Sequence, residues 1–195
     1  MFSSPTKSNG ILLSIYQDQR TVFRLLDIGM LAGETNRESL NRKLNYYVRT
    51  GKLNNPRKGI YTKPDYQPQE LACKLYTPSY ISLEYVLQRA GVVFQFDSTI
   101  SSVSYLSRSI DIQGQIIRYR KLKNELLVNT SGILQQPSGI NIASPERAFL
   151  DLLYLSPDSY FDNLNPLSAK IICKLLPNYQ SKALTNRVKK LFQNV

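Results

Sequence analysis

The segment from Thr35 to Thr62, TNRESLNRKLNYYVRTGKLNNPRKGIYT, constrains this chain more than any other. Thr35 and Glu38 have the spacing of a capping box, a hydroxyl at the N-cap and a carboxylate three residues on. Leu40, Leu44, Tyr47 and Val48 then fall at i, i+4, i+7 and i+8, so a helix here carries one apolar stripe. Its opposite face holds Asn36, Arg37, Ser39, Arg42, Lys43, Asn45 and Tyr46. Gly51 suits the C′ position that ends such a helix. Lys52 to Asn54 and Ile60 to Thr62 read as two short strands. Pro56 to Gly59 supplies the turn between them and puts Arg57 and Lys58 at its tip.

Two helices are expected before this segment. Ile11, Leu12, Ile15 and Tyr16 have helical spacing after a polar lead-in, Met1 to Asn9. Thr21 can cap a second helix carrying Val22, Leu25, Leu26 and Met30 and ending at Gly33. Helix, turn, basic helix and basic hairpin is the layout of a winged helix-turn-helix, which lays its recognition helix in the DNA major groove. Arginine pairs bidentately with guanine and asparagine with adenine, so the polar face suits reading of base edges. Long cations at the hairpin tip suit phosphates or the minor groove.

Charge supports a polyanionic partner. The chain has net charge +11 over 195 residues. Residues 1–66 carry 11 Lys/Arg against 5 Asp/Glu, residues 67–162 carry 8 against 9, and residues 163–195 carry 6 against none. Two basic ends flank a nearly neutral middle, and a single DNA-binding head explains only the first. Pro64, Asp65, Tyr66 and Pro68 form the expected domain junction. The expected architecture is therefore α+β: an N-terminal winged helix-turn-helix over 1–66, then a mixed α/β C-terminal domain over 67–195.

In that second domain, Gln69 to Leu75 and Ser82 to Ala90 read as short helices, the latter with Leu83, Val86 and Leu87 inward and Gly91 at its end. Thr99 to Ser107 and Ile110 to Leu122 alternate as strands, the second with a bend or bulge at Gln113-Gly114. Leu126 to Val128, Ile133 to Gln135 and Ile140 to Ile142 are short strand candidates. Ser144-Pro145-Glu146 is a helix start, with cap, proline and acid in order. Asn165-Pro166 opens another helix, Leu167 to Leu176. Lys182 to Phe192 is the last, with Leu184, Val188 and Leu191 on one face and Lys182, Arg187, Lys189 and Lys190 as a candidate partner-binding set. Two uses of that set stay open: phosphate contacts when protomers bind side by side, or docking on an acidic patch of a protein.

The chain has no histidine and two distant cysteines, Cys73 and Cys173, so no zinc site, metal or cofactor is expected. The cysteines read as buried small apolar residues in a reducing cytosol. No span reaches the roughly 18 apolar residues of a membrane helix, and a cytoplasmic protein is expected. There is no glycine-rich phosphate loop. The acids available to a nuclease are Asp111, Glu125, Glu146 and Asp151. Glu146 and Asp151 are five apart on one helix and face different ways, and Glu146 suits the helix dipole. No catalytic residue is assigned.

Three segments in order, YVRTGKLNNPRKGIYT, SYISLEYVLQRAGV and INIASPERAFLDLLYL, resemble the AbiEi family of transcriptional regulators, the antitoxins of abortive-infection toxin–antitoxin pairs in phage defence. The resemblance covers nearly the whole chain. It implies a repressor of its own operon that binds double-stranded operator DNA, with possible homo-oligomers on the DNA. It also implies a C-terminal domain that counteracts a nucleotidyltransferase-like toxin. By position it implies Arg37, Arg42, Lys43, Arg57 and Lys58 as DNA-binding residues, and it brings no catalytic residue. Ser144, Pro145, Glu146, Arg147 and Asp151 match its C-terminal motif. Arg147 and Asp151 stand at i, i+4, which reads as a helix-surface ion pair. The rival functions are a stand-alone winged-helix regulator with a ligand-sensing C-terminal domain, and a DNA-processing enzyme.

Overall fold

The computed structural model describes the backbone of residues 7–192 and the side chains of residues 10–192. Residues 1–6 of the expected lead-in lie outside the described residues, and Lys7 already begins a helix. Among the described residues the fold is mixed α/β, with nine α-helices and two sheets. Two compact units divide them: residues up to Leu75 with Pro137–Gly139, and Tyr76–Gln136 with Ile140 onward.

The first unit runs α1 (Lys7–Gln17), β1 (Val22–Arg24), α2 (Leu25–Ala32), α3 (Arg37–Arg49), β2 (Asn54–Arg57), β3 (Ile60–Thr62) and α4 (Pro68–Leu75). β3 is central, antiparallel to β1 and β2. The helix expected from Thr21 is therefore strand first and helix second. Val22 and Phe23 are fully buried and pair with Thr62 and Tyr61, and that pairing outweighs local helical spacing. The start of β1 is clamped by Glu70 of α4, itself fully buried. Its carboxylate accepts from Thr21 N at 2.8 Å, Thr21 Oγ1 at 2.7 Å and Val22 N at 3.0 Å. These bonds hold α4 in the first unit, so its boundary falls at Leu75, past the expected Tyr66.

α2 turns its Ile28 inward and leaves Leu26 and Met30 exposed, opposite to the expected stripe. It ends in a Schellman motif at Gly33, where Glu34 N donates to Gly29 O at 3.0 Å. α3 ends the same way at Gly51: Lys52 N donates to Tyr47 O at 2.9 Å and Gly51 N to Val48 O at 3.1 Å. Both glycines have positive φ, which is why glycine stands there. The core joins Ile11 and Ile15 of α1, Phe23, Ile28, then Leu40, Leu44 and Tyr47 of α3, with Leu53 and Tyr61. The first hairpin strand starts at Asn54, two residues later than expected, because the Schellman turn uses Lys52 and Leu53.

The second unit runs β4 (Ser79–Ile81), α5 (Glu84–Arg89), β5 (Ile100–Ser104), β6 (Arg108–Ile112), β7 (Gln115–Lys121), α6 (Asn124–Leu127), β8 (Ile133–Gln135), β9 (Asn141–Ala143), α7 (Pro145–Leu155), α8 (Ala169–Leu175) and α9 (Lys182–Phe192). A six-stranded mixed sheet has the order β6-β7-β5-β4-β9-β8, with parallel pairs β5–β7 and β4–β9. All five residues of β5 are buried, so its alternation marks a covered strand. The single strand expected over Ile110 to Leu122 is a hairpin, β6–β7, and Gln113-Gly114 is its two-residue turn, both at positive φ. Leu126 and Leu127, expected in a strand, belong to α6; β4 had not been expected. α5 starts at Glu84, later than expected, and ends at Gly91. α8 starts behind Ser168, whose hydroxyl accepts from Ile171 N, and passes into a 3-10 turn, Leu176–Tyr179. The expected Leu167 start gives way to this cap.

Candidate nucleic-acid interface

α3 sorts its residues by burial as its spacing demands. Leu40, Leu44 and Tyr47 are buried, and Val48 packs at the edge. On the other side Asn36, Arg37, Arg42, Asn45 and Tyr46 are exposed. The capping box is absent in its expected form. The N-cap is Asn36, one residue later than Thr35, and its Oδ1 accepts from Ser39 N at 2.9 Å. Glu38 is then the second helical residue, too early to reach back. The cap engages the Asn36 carbonyl oxygen and the Ser39 amide at the helix mouth.

Lys43 differs from its neighbours. Its ammonium lies 2.7 Å from Glu34 Oε2, and Ser39 Oγ donates to the same oxygen at 3.4 Å. The Lys43 bond, then one from Asn36 N, holds the Glu34 carboxyl below the usual range. This pair fastens α3 to the turn before it, at the partly exposed edge of the unit. Arg49 was missed. It is exposed in the last turn of α3, with its guanidinium 5.8 Å from the centre of the Tyr46 ring. The signal was available: Arg42, Tyr46 and Arg49 follow at four and three residues, one face of a helix.

Arg57 and Lys58 are exposed at the hairpin tip. Asn55 closes that hairpin, its Nδ2 donating to Arg57 O at 2.9 Å and Ile60 O at 2.7 Å. Gly59 O accepts from Leu25 N at 3.0 Å, tying the tip to the start of α2. α3 and the hairpin tip are thus fixed within one small unit by backbone bonds and a shared core.

Three of the four candidate acids, Asp111, Glu146 and Asp151, have structural partners. Asp111 Oδ1 accepts from Gly114 N in the β6–β7 turn at 2.8 Å, and Glu146 is buried and accepts from Ser168 N at 3.2 Å. Arg147 and Asp151 pair at 3.2 Å but not on a surface: both side chains are fully buried. Arg147 Nη2 donates to Tyr80 Oη at 2.8 Å and to Leu126 O at 2.7 Å. Asp151 accepts from Tyr179 Oη at 2.6 Å, Ser82 Oγ at 2.8 Å and Tyr80 Oη at 3.0 Å. Burial pushes the Asp151 carboxyl up, while Arg147 and the three hydroxyls pull it back. Burial also raises Tyr80 and Tyr179, which stay neutral donors. Among the described residues, no group of three His, Cys, Asp or Glu is placed to hold a metal ion. No helix among them is long and apolar enough to cross a membrane.

On α9, Leu184 and Val188 are buried as expected and Leu191 is half-buried. Lys182, Lys189 and Lys190 are exposed, whereas Arg187 is half-buried and donates to Leu153 O at 3.4 Å. Cys73 is buried, but Cys173 on α8 is exposed, against expectation. The helix turns Ile172 and Leu175 inward instead.

No protein-family model matches this chain, and no curated protein matches it. Among solved structures, the RV2827C protein from Mycobacterium tuberculosis is similar over 97% of this chain and 77% of its own, with a TM-score of 0.55 and 14% sequence identity. At that identity the likeness shows the fold alone.

Proposed function

We propose that the first unit is a winged helix-turn-helix that lays α3 in the major groove of duplex operator DNA, with β2–β3 as the wing. One observation carries this reading: α3 buries an apolar stripe against its own unit while Arg37, Arg42, Asn45, Tyr46 and Arg49 stay exposed on the opposite side. A helix so anchored presents guanidinium and amide groups without losing its seat. The exposed hairpin cations add backbone contacts. By its resemblance to AbiEi regulators, the chain is an antitoxin that represses its own operon in the cytoplasm. Its C-terminal unit counteracts a nucleotidyltransferase-like toxin, with Lys182 and Lys190 facing an acidic patch of that partner. It is a binding protein and no catalysis is assigned to it.

The test uses duplex DNA from upstream of its own gene. Arg37→Ala should weaken binding by about 1–3 kcal/mol and relax base preference in the footprint. Replacing both Arg57 and Lys58 with alanine should weaken binding to all sequences alike and reduce the salt slope by roughly one or two units. Unchanged base preference and unchanged slope together would remove α3 and the hairpin from DNA. Glutamate at positions 182 and 190 should abolish toxin neutralisation and leave operator affinity intact.

A further inference from the structure

Two features of the second unit match each other. The first is the loop 93–98, VFQFDS, between α5 and β5, which holds Phe94 and Phe96 at 67% and 84% exposure. The loop is tied down on both sides. Phe94 N donates to Asp162 Oδ2 at 2.8 Å, Asp162 N and Asn163 N donate to Val92 O at 3.0 and 3.2 Å, and Thr99 N donates to Asp97 Oδ1 at 2.7 Å. Two phenyl rings displayed on a fastened loop mark an interaction surface, since aromatic anchors dominate interface energetics.

The second feature is a slot of about 190 Å³ between α8 and α9, lined by Ala169, Ile172, Cys173, Val188, Lys189 and Phe192. Apolar cavities of roughly 150 Å³ accept a benzene ring. The slot has room for one aromatic side chain, and Lys189 is the charged residue among those lining it. The exposed ring of Phe96 is followed directly by the carboxylate of Asp97. Ring to slot and carboxylate to ammonium make a complementary pair.

Both features gather around one buried side chain. Phe161 and Phe192 pack on the Phe149 ring at 4.8 and 5.9 Å between centroids, and the loop is anchored by Asp162, next to Phe161. Knob and slot thus belong to neighbouring parts of one unit. Two copies related by a two-fold axis would exchange both rings at once, an isologous pairing that closes.

We propose that the α8–α9 slot receives Phe96 of a second copy of this chain, with that copy's Asp97 against Lys189. The pairing goes beyond the DNA-binding reading and does not depend on it.

Sedimentation of the full chain without DNA tests it. The wild type should show a concentration-dependent dimer. Phe96→Ser should raise the dissociation constant at least about 30-fold, the range of an aromatic hot spot. Phe96 is exposed, so this variant should keep the wild-type melting curve. Ala169→Leu, which fills the slot, and Lys189→Glu should weaken the dimer as well. Phe96→Cys treated with diamide should give a disulfide between the introduced thiol and Cys173 of the other copy, absent when Cys173→Ser is added. A wild type monomeric at every accessible concentration would assign the slot to another partner and overturn the proposal. A dimer indifferent to Phe96→Ser would overturn it too. None of these outcomes alters DNA binding by α3.

Discussion

Arg37 and Arg147 both lie in the first turn of a helix, behind the side-chain N-caps Asn36 and Ser144. Arg37 is exposed, whereas Arg147 is fully buried with a carboxylate, a tyrosine hydroxyl and two carbonyls around its guanidinium. The two units thus treat charge differently. The first builds an apolar core and buries none of its described Lys or Arg side chains, Glu70 being the charged residue it does bury. The second closes an ion pair and three hydroxyls inside its core. Exposed arginines can serve a partner; a buried, fully bonded one serves the fold that surrounds it.

Removing Arg147 is the hardest test of that contrast. Arg147→Ala leaves Asp151 buried without its counter-charge and should cost about 3–5 kcal/mol. The measurement is denaturant unfolding together with amide hydrogen exchange, and the loss should appear in α7 and β4. A double replacement, Arg147→Met with Asp151→Leu, should cost less than the single one, because apolar groups leave no orphan charge. If Arg147→Ala were silent, the network would be no more than a surface pair in effect.

Glu70→Ala asks whether the first unit depends on its one buried carboxylate. The change strips partners from Thr21 N and Val22 N, and should cost about 1–3 kcal/mol with early exchange in β1. No change in β1 protection would mean that pairing with β3 alone holds the strand. Asn36→Ala should cost about 1 kcal/mol by loss of the N-cap bond to Ser39, and fray only the start of α3. An equal loss from Thr35→Ala would restore the expected capping box.

The smallest effect is on pH. Glu34 is held below its usual value of 4.5 by Lys43, so its folded pKa lies under its unfolded one. Its contribution is present above pH 4.5 and is lost as pH falls through the lowered folded value. Lys43→Met should flatten that acid limb slightly, read as the difference in melting temperature between neutral and acid solution. An unchanged limb would show Lys43 to be released already at neutral pH.

The exposed polar face of α3 was legible because helical spacing alone separates Leu40, Leu44 and Tyr47 from Arg37, Arg42 and Asn45. The C′ glycine and the hairpin return at Ile60 to Thr62 were legible too, since their signals are local. What failed was decided at a distance. Val22 and Phe23 carry helical spacing but pair with β3. Leu126 looked like a strand residue and became a helical one whose carbonyl takes a bond from Arg147.

Ser144-Pro145-Glu146 shows the division most clearly. Cap, proline and acid fix a helix start by themselves, because each acts within one turn of backbone. That Arg147 and Asp151 should be buried could not be read from their i, i+4 spacing, which surface and core pairs share. Tyr80 reaches them from β4, Ser82 from just beyond its end and Tyr179 from the turn after α8, and Gly132 leaves the space. A Cβ at Gly132 would lie 3.0 Å from that of Arg147. The local sequence determined where helices start, stop and turn their apolar sides. Only the tertiary structure decided which charges are buried, because burial depends on groups that are far away along the chain and within 3 Å in space.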